Sequence, residues 1–195
     1  MSTDDMLPAR QRLLEAAQKS FADKGFHGTS TRDIASAAGL SPGGVYVHHR
    51  SKEDMLFELS LAGHEQIVRL LEEAKADHPD DPRQQLHRMV HQLVLMHARD
   101  NSVARVVNYE LAALNAPHRE QIDALRHRIQ ELLREAIESG VTAGVFVVDE
   151  VGMTANAISG MSVDVGRWYR PDAHWTPERL AVHFADLALR MVSAA

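Results

Sequence analysis

Apolar residues recur at steps of three and four along most of this sequence, and glycines, prolines and capping residues divide that rhythm into segments of helical length. From Pro8 to Asp23 the positions Leu13, Leu14, Ala17 and Phe21 hold one face, and Lys24-Gly25 supplies the cation and glycine that close a helix. Thr31 to Ala38 carries Ile34, Ala35 and Ala38 on one side and stops at Gly39. Ser41-Pro42 reads as an N-cap followed by proline in the first turn, opening a short helix to His48. Ser51-Lys52-Glu53-Asp54 has capping-box spacing and predicts a long helix to about Ala76, which the prolines and acids of 78–82 end. Leu86, Met89, Val90, Leu93, Val94 and Met96 then mark a helix over 83–99, and a shorter one spans Val103 to Leu114. Ile122, Leu125, Ile129, Leu132, Leu133, Ala136 and Ile137 make 117–138 the clearest amphipathic helix of the chain. Two more are predicted over 150–167 and 177–192, about nine in all. Only Val145-Phe146-Val147-Val148 tempts as a strand, and it has no partner run, so the fold class is all-α.

Two short helices joined by a glycine-containing turn are the geometry that presents the second helix to a DNA groove, and 31–38, Gly39-Leu40-Ser41 and 42–48 fit it. Charge changes the weight of that pattern. The chain is acidic overall, with 21 Lys and Arg against 27 Asp and Glu, a net −6, so any nucleic-acid site must be local. Between Ala9 and Lys52, seven basic residues (10, 12, 19, 24, 32, 50, 52) face only Glu15, Asp23 and Asp33. The basic surface falls where the predicted turn lies.

The residues from Arg12 to Leu59 carry a resemblance. Arg-Leu-Leu-Glu-Ala-Ala, Phe-Ala-Asp-Lys-Gly-Phe, Thr-Ser-Thr-Arg-Asp-Ile-Ala, Ala-Gly-Leu-Ser-Pro-Gly-Gly-Val-Tyr and His-His-Arg-Ser-Lys-Glu-Asp-Met-Leu follow in the order and spacing of the N-terminal DNA-binding domain of TetR family transcriptional regulators. The resemblance implies a three-helix helix-turn-helix domain over 7–52 and a helical ligand-binding and dimerisation body over 53–195. It also implies that Thr31 and Arg32 meet the phosphate backbone or groove edge. Ser41, Pro42, Gly43 and Gly44 would lie nearest the bases, Tyr46 and His48 on phosphates, Val47 near base edges, and Lys52 on phosphate. One departure is His49, where the family has an aromatic such as phenylalanine. The reading helix holds no Arg, Asn or Gln able to make bidentate base contacts, so close approach at the glycines, methyl contact from Val47 and DNA shape are its means of sequence choice.

A symmetric dimer is needed to span two half-sites. Small residues in the penultimate helix, Gly152, Ala155, Ser159, Gly160 and Ser162, with Leu180, Phe184, Leu187, Ala188 and Met191 of the last, are the candidate dimer interface. The alternative is that they only allow packing within one chain. A cavity among the body helices would draw its walls from Met89, Leu93, Met96, His97, Val106, Tyr109, Glu110, Ile129 and Leu133, most of which also suit an ordinary core. Val165 to Thr176, with Arg167-Trp168-Tyr169-Arg170-Pro171, resembles family members that sense acyl-CoA thioesters. The expected partners are therefore operator DNA, a second copy of the chain and a small hydrophobic effector, an acyl-CoA or else a xenobiotic, with no other cofactor.

Several classes fall away. There is no cysteine, hence no disulfide, no thiol nucleophile and no Cys zinc site. No signal peptide, membrane span or enzyme signature is legible, which points to a cytoplasmic protein that is not an enzyme. His87 and His91 have the i, i+4 spacing of a metal pair but lack a third ligand fixed in sequence, so no metal is expected. With an ordinary pKa of about 6.5, His27, His48 and His49 predict DNA affinity that rises as pH falls. An all-α small-molecule binder without DNA function stays open beside the repressor reading.

Overall fold

The computed structural model describes residues 8–172 and 174–193. Met1–Leu7, Ala173, Ala194 and Ala195 lie outside the described residues, and with them the outermost residues of both expected domains and the amino-terminal stretch read for an export signal. The all-α expectation holds: nine α-helices and no strand occur among the described residues. In chain order they are α1 (Ala9–Lys24), α2 (Thr31–Ala37), α3 (Pro42–His48), α4 (Lys52–Asp77), α5 (Pro82–Arg99), α6 (Asn101–Tyr109), α7 (Ala116–Thr142), α8 (Val151–Trp168) and α9 (Pro177–Met191). The segment expected as one helix from Val103 to Leu114 divides into α6 and a single 3-10 turn, Leu111–Ala113.

Two compact units form. The first comprises the chain to Gly63 together with Arg105–Ile122. Its core joins Leu13, Ala17 and Phe21 of α1, Ile34 and Ala35 of α2, Val45 of α3, and Met55 and Leu56 of α4 to Val106, Leu111, Leu114 and Ile122. Glu53, in the first turn of α4, ties the later segment on: its carboxylate accepts from Asn115 N at 2.9 Å and Asn115 Nδ2 at 3.1 Å, and lies 2.9 Å from His118 Nδ1. The His118 ring stacks on Phe57 with centroids 3.8 Å apart.

The second unit comprises His64–Ala104 and the chain from Asp123 onward. Here α5 lies along α9 and α8, with Leu86, Met89, Val90 and Leu93 packed among Leu132, Leu133, Ile137, Ile158, Ala181 and Ala185. The Val145 to Val148 run is not a strand. Phe146 is buried against the end of α7, Val148 packs partly buried on the same core, and Val147 N donates to Val192 O at 2.8 Å. Gly140 makes room for Phe146, since a Cβ there would fall inside its ring.

Gly140→Ala is therefore expected to destabilise the protein by about 1–3 kcal/mol through overpacking. Urea unfolding of the variant reads this, and Phe146→Leu in the same chain should restore part of the loss.

Candidate nucleic-acid interface

The first unit builds its outward helix from two caps. Helix α2 starts with a capping box: Ser30 Oγ accepts from Asp33 N at 3.1 Å, and Asp33 Oδ2 accepts from Ser30 N at 2.9 Å. The Ser30 hydroxyl, and then its backbone N–H, hold the Asp33 carboxyl below the usual carboxylate range. The helix ends in a Schellman turn, with Leu40 N donating to Ala35 O at 2.9 Å and Gly39 N to Ser36 O at 3.2 Å. Gly39 sits at φ +67°, in the left-handed region where a Cβ would be strained. Ser41 then caps α3 by accepting from Gly44 N at 3.3 Å, and Pro42 fills the first turn.

Helix α3 buries only Val45. Its remaining side chains point away from the core: Tyr46 is 61 % exposed and Val47 78 % exposed, and a Cβ added at Gly43 would meet nothing within 4 Å. An isolated short helix that withholds a tyrosine and a valine from its own core presents a surface suited to a partner. Arg32, Arg50 and His48 are exposed in the same unit, Thr31 is half-buried at the start of α2, and Ser41, Pro42 and Gly43 are open, with Gly44 half-buried beside Ser41.

Lys52 is placed differently from the rest. Its ammonium donates to Phe26 O at 2.7 Å and Thr29 O at 2.9 Å and lies 4.3 Å from the Phe26 ring centroid. It holds the α1–α2 turn to the start of α4. Thr29 braces the same turn by donating to Ser20 O and Gly25 O, and Glu110 does so by accepting from Phe26 N at 3.2 Å.

The expected pocket residues are divided between the two units. Met89, Leu93, Met96, His97, Ile129 and Leu133 belong to the second unit, whereas Val106, Tyr109 and Glu110 belong to the first. Met89, Leu93, Ile129 and Leu133 are close-packed core, and Val106 is core of the other unit. His97 is buried with Nδ1 2.7 Å from Leu93 O, and burial pushes its pKa down. Tyr109 is exposed, and Glu110 is engaged with Phe26.

Among the small residues of α8, Ala155, Ser159 and Ser162 are sealed within the chain, as are Leu180 and Ala188 of α9. Ser162 Oγ donates to Ile158 O and Ser159 Oγ accepts from Gln130, because a helix crossing this closely leaves a serine no water to bond. Gly152, Gly160 and Met191 are exposed, and Phe184 and Leu187 are half-buried. An open cleft of about 350 Å³ lies in the second unit among Trp168, Trp175, Arg179, Leu180, His183 and Phe184. His87 faces Asp186 at 3.3 Å, and no helix among the described residues is long and apolar enough to cross a membrane.

Sequence reasoning passed over three features of the first unit. The Ser30–Asp33 box is legible as S-x-x-D. The Glu53 and Glu110 tethers reach residues far off in sequence and leave no local signal.

Comparison with known proteins adds the following. The family described as bacterial regulatory proteins, tetR family, matches residues 13–59, and that described as tetracyclin repressor-like, C-terminal domain, matches 79–192. The transcriptional repressor KstR2 of Rhodococcus jostii is 29 % identical over 182 residues, covering 92 % of this chain and 89 % of that one. A bacterial regulatory protein in the tetR family from Rhodococcus RHA1 has a solved structure with TM-score 0.90 and 36 % identity, covering 97 % of this chain and 100 % of that one. AibR, solved in complex with isovaleryl coenzyme A and operator DNA, aligns with TM-score 0.81 and 25 % identity over 95 % of this chain and 98 % of its own.

Replacing Lys52 by Met is expected to cost about 1–2 kcal/mol, the two charge-assisted bonds being discounted for partial exposure, and to speed amide exchange over 26–33. Unchanged exchange there would show that the ammonium is not a tether.

Proposed function

The chain belongs to the TetR family of DNA-binding transcriptional regulators, and from that membership we propose that it is a homodimeric, ligand-responsive repressor that docks α3 in the major groove. The observation that carries the reading is the outward face of α3, where Tyr46 and Val47 stand exposed beside the open position at Gly43. In this reading Ser41, Pro42, Gly43 and Gly44 lie nearest the bases and Val47 near base edges, Tyr46 and His48 hold phosphates, and Thr31 and Arg32 meet the phosphate backbone or groove edge. Lys52 acts mainly by holding the α1–α2 turn. Residues 7–52 are the DNA-binding domain and 53–195 bind effector and dimerise, in the cytoplasm where the operator lies. The family is one of regulators rather than enzymes.

Dimerisation falls to the exposed parts of α8 and α9. Gly160 and Gly152 lie in a helix, where glycine costs about 1 kcal/mol relative to alanine, and a Cβ at either would meet nothing within 4 Å. Close approach of a second chain gives those glycines a use that packing within this chain does not. The effector is an acyl-CoA thioester. That choice is supported by the complex of AibR with isovaleryl coenzyme A and by Arg179 beside the indoles of Trp168 and Trp175. Stacking and arginine contacts are what an adenine and its phosphates require. Helices α4 and α7 each run through both units, so a change imposed on one is carried by continuous helix into the other. To move occupancy from 99:1 to 1:99 the effector must favour the released state by about 10⁴-fold.

Two measurements test the function. Fluorescence anisotropy with a duplex taken from the DNA flanking the protein's own gene should show tight, salt-dependent binding. Gly44→Glu should abolish that binding while sedimentation still reports a dimer, because a carboxylate then faces phosphate at closest approach. Retained affinity in Gly44→Glu rejects the docking of α3. Isovaleryl-CoA and longer acyl-CoA esters added to the same complex should release the duplex where free CoA does not; equal release by free CoA, or none by any ester, rejects the effector class.

A further inference from the structure

The last backbone bond of the reading helix runs from His49 N to Val45 O at 2.9 Å, and the His49 side chain then turns into the unit, only 5 % exposed. Two oxygens act on the ring, the Glu58 carboxylate and the Arg10 backbone carbonyl. Nδ1 lies 3.6 Å from Glu58 Oε2, on α4. The other oxygen of Glu58 is held by Arg10, on α1, at 2.6 Å. Nε2 is buried with no hydrogen-bond partner. The charged and titratable groups that act on the ring are thus Glu58 from α4, Arg10 from α1 and His48 from α3 itself.

A neutral imidazole suits this site, because it needs one acceptor for its single N–H and leaves a bare lone pair at Nε2. An imidazolium does not. It carries two donors, of which the one at Nε2 makes no hydrogen bond, and it must share Glu58 with a guanidinium that repels it. Burial is the largest influence and pushes the ring's pKa below its usual value, with Arg10 and His48 adding to the push and Glu58 and the Arg10 backbone opposing it.

We propose that His49 is a positioning residue that holds α3 in its reading position only while its ring is neutral, so that acidification loosens the helix and lowers affinity for duplex DNA. The proposal rests on the duplex-binding reading above. Its sign follows from linkage: the unfolded chain takes up the proton first, so the stability that His49 confers is complete above about pH 6.5 and is lost as pH falls from there through the lower folded value. This reverses, for His49, the direction expected from the sequence. His27 and His48 are exposed in the same unit, whereas His49 is buried.

The experiment uses the full chain and the flanking duplex, with anisotropy titrations from about pH 8 to about pH 5.5 on wild type, His49→Phe and Glu58→Gln. Wild-type affinity should fall on acidification, by at most about tenfold per pH unit for each reading unit. His49→Phe, which keeps a ring but not the proton, should stay flat or gain affinity. Glu58→Gln removes the charge that favours the imidazolium in the seated position and should deepen the fall and extend it to lower pH, with its onset unchanged. In parallel, the His49 ring resonance should titrate below the usual histidine range together with the amide signals of 45–50. Superimposable profiles for wild type and His49→Phe would overturn the proposal, as would a His49 titration that leaves those amides unmoved. Should His49→Phe not fold, a fall no deeper in Glu58→Gln than in wild type overturns it instead. Absence of duplex binding in every variant at every pH defeats the functional reading, and the ring titration then decides the role of His49 alone.

Discussion

A seven-residue helix that buries one side chain cannot fix its own direction. Such a helix is too short to persist alone in water, and burying one valine is worth about 1.5–3 kcal/mol, less than the ordering of seven residues costs. The direction of α3 is therefore imposed at its two ends. Before it, the Schellman turn at Gly39 and the Ser41 cap set the angle of entry. After it, the His49 ring is inserted between α1 and α4. Because none of these contacts uses the outward side of the helix, that side stays open for a partner, and every functional statement about this protein depends on that division.

The same constraint accounts for the size of the first unit. Three short helices cannot bury enough apolar surface to be firm. The core around Leu13, Phe21 and Met55 is closed by Val106, Leu111, Leu114 and Ile122, which come from much later in the chain. Glu53 and Glu110 secure the added segment through backbone N–H groups, Asn115 in one case and Phe26 in the other. Glu53, Asp54 and His118 come together in this tether. The Glu53 oxygens are occupied by Asn115 and His118, and the amino-terminal ends of α4 and α7 meet there with positive ends that repel a cation.

How legible this was differs by the range of the interaction. Periodicity and caps are local, so the order of the helices, the Gly39 turn and the Ser41-Pro42 start could be read directly. The exposed residues of α3 were legible through the resemblance. What decides a cavity wall or a tether is contact between distant residues, and a buried methionine looks the same in sequence whether it fills a core or lines a pocket. Met89 and Leu93 turned out to be core for that reason, and Lys52 turned inward because two carbonyls at 26 and 29 are brought to it only by folding. His49 is the sharpest case. A histidine beside Arg50 and His48 reads as surface from its neighbours, and the aromatic that the family carries at this position is the one sign in sequence that it packs inward, as it does.

The composition of α3 also explains why one buried ring can matter so much. The helix contains no lysine or arginine, and the permanent cations nearby in the chain, Arg32 and Arg50, lie outside it. Each phosphate neutralised contributes about one unit to the salt dependence of binding, so an interface with few fixed cations has little affinity to spare when its geometry loosens. A reading helix rich in arginine would tolerate a small tilt, since long flexible cations can follow the backbone. In the proposed docking the bases are approached by glycines and a valine, and such contacts vanish within an ångström of displacement. Sparse charge on the reading face and a proton-sensitive seat behind it are thus two parts of one design, in which position does what charge does elsewhere.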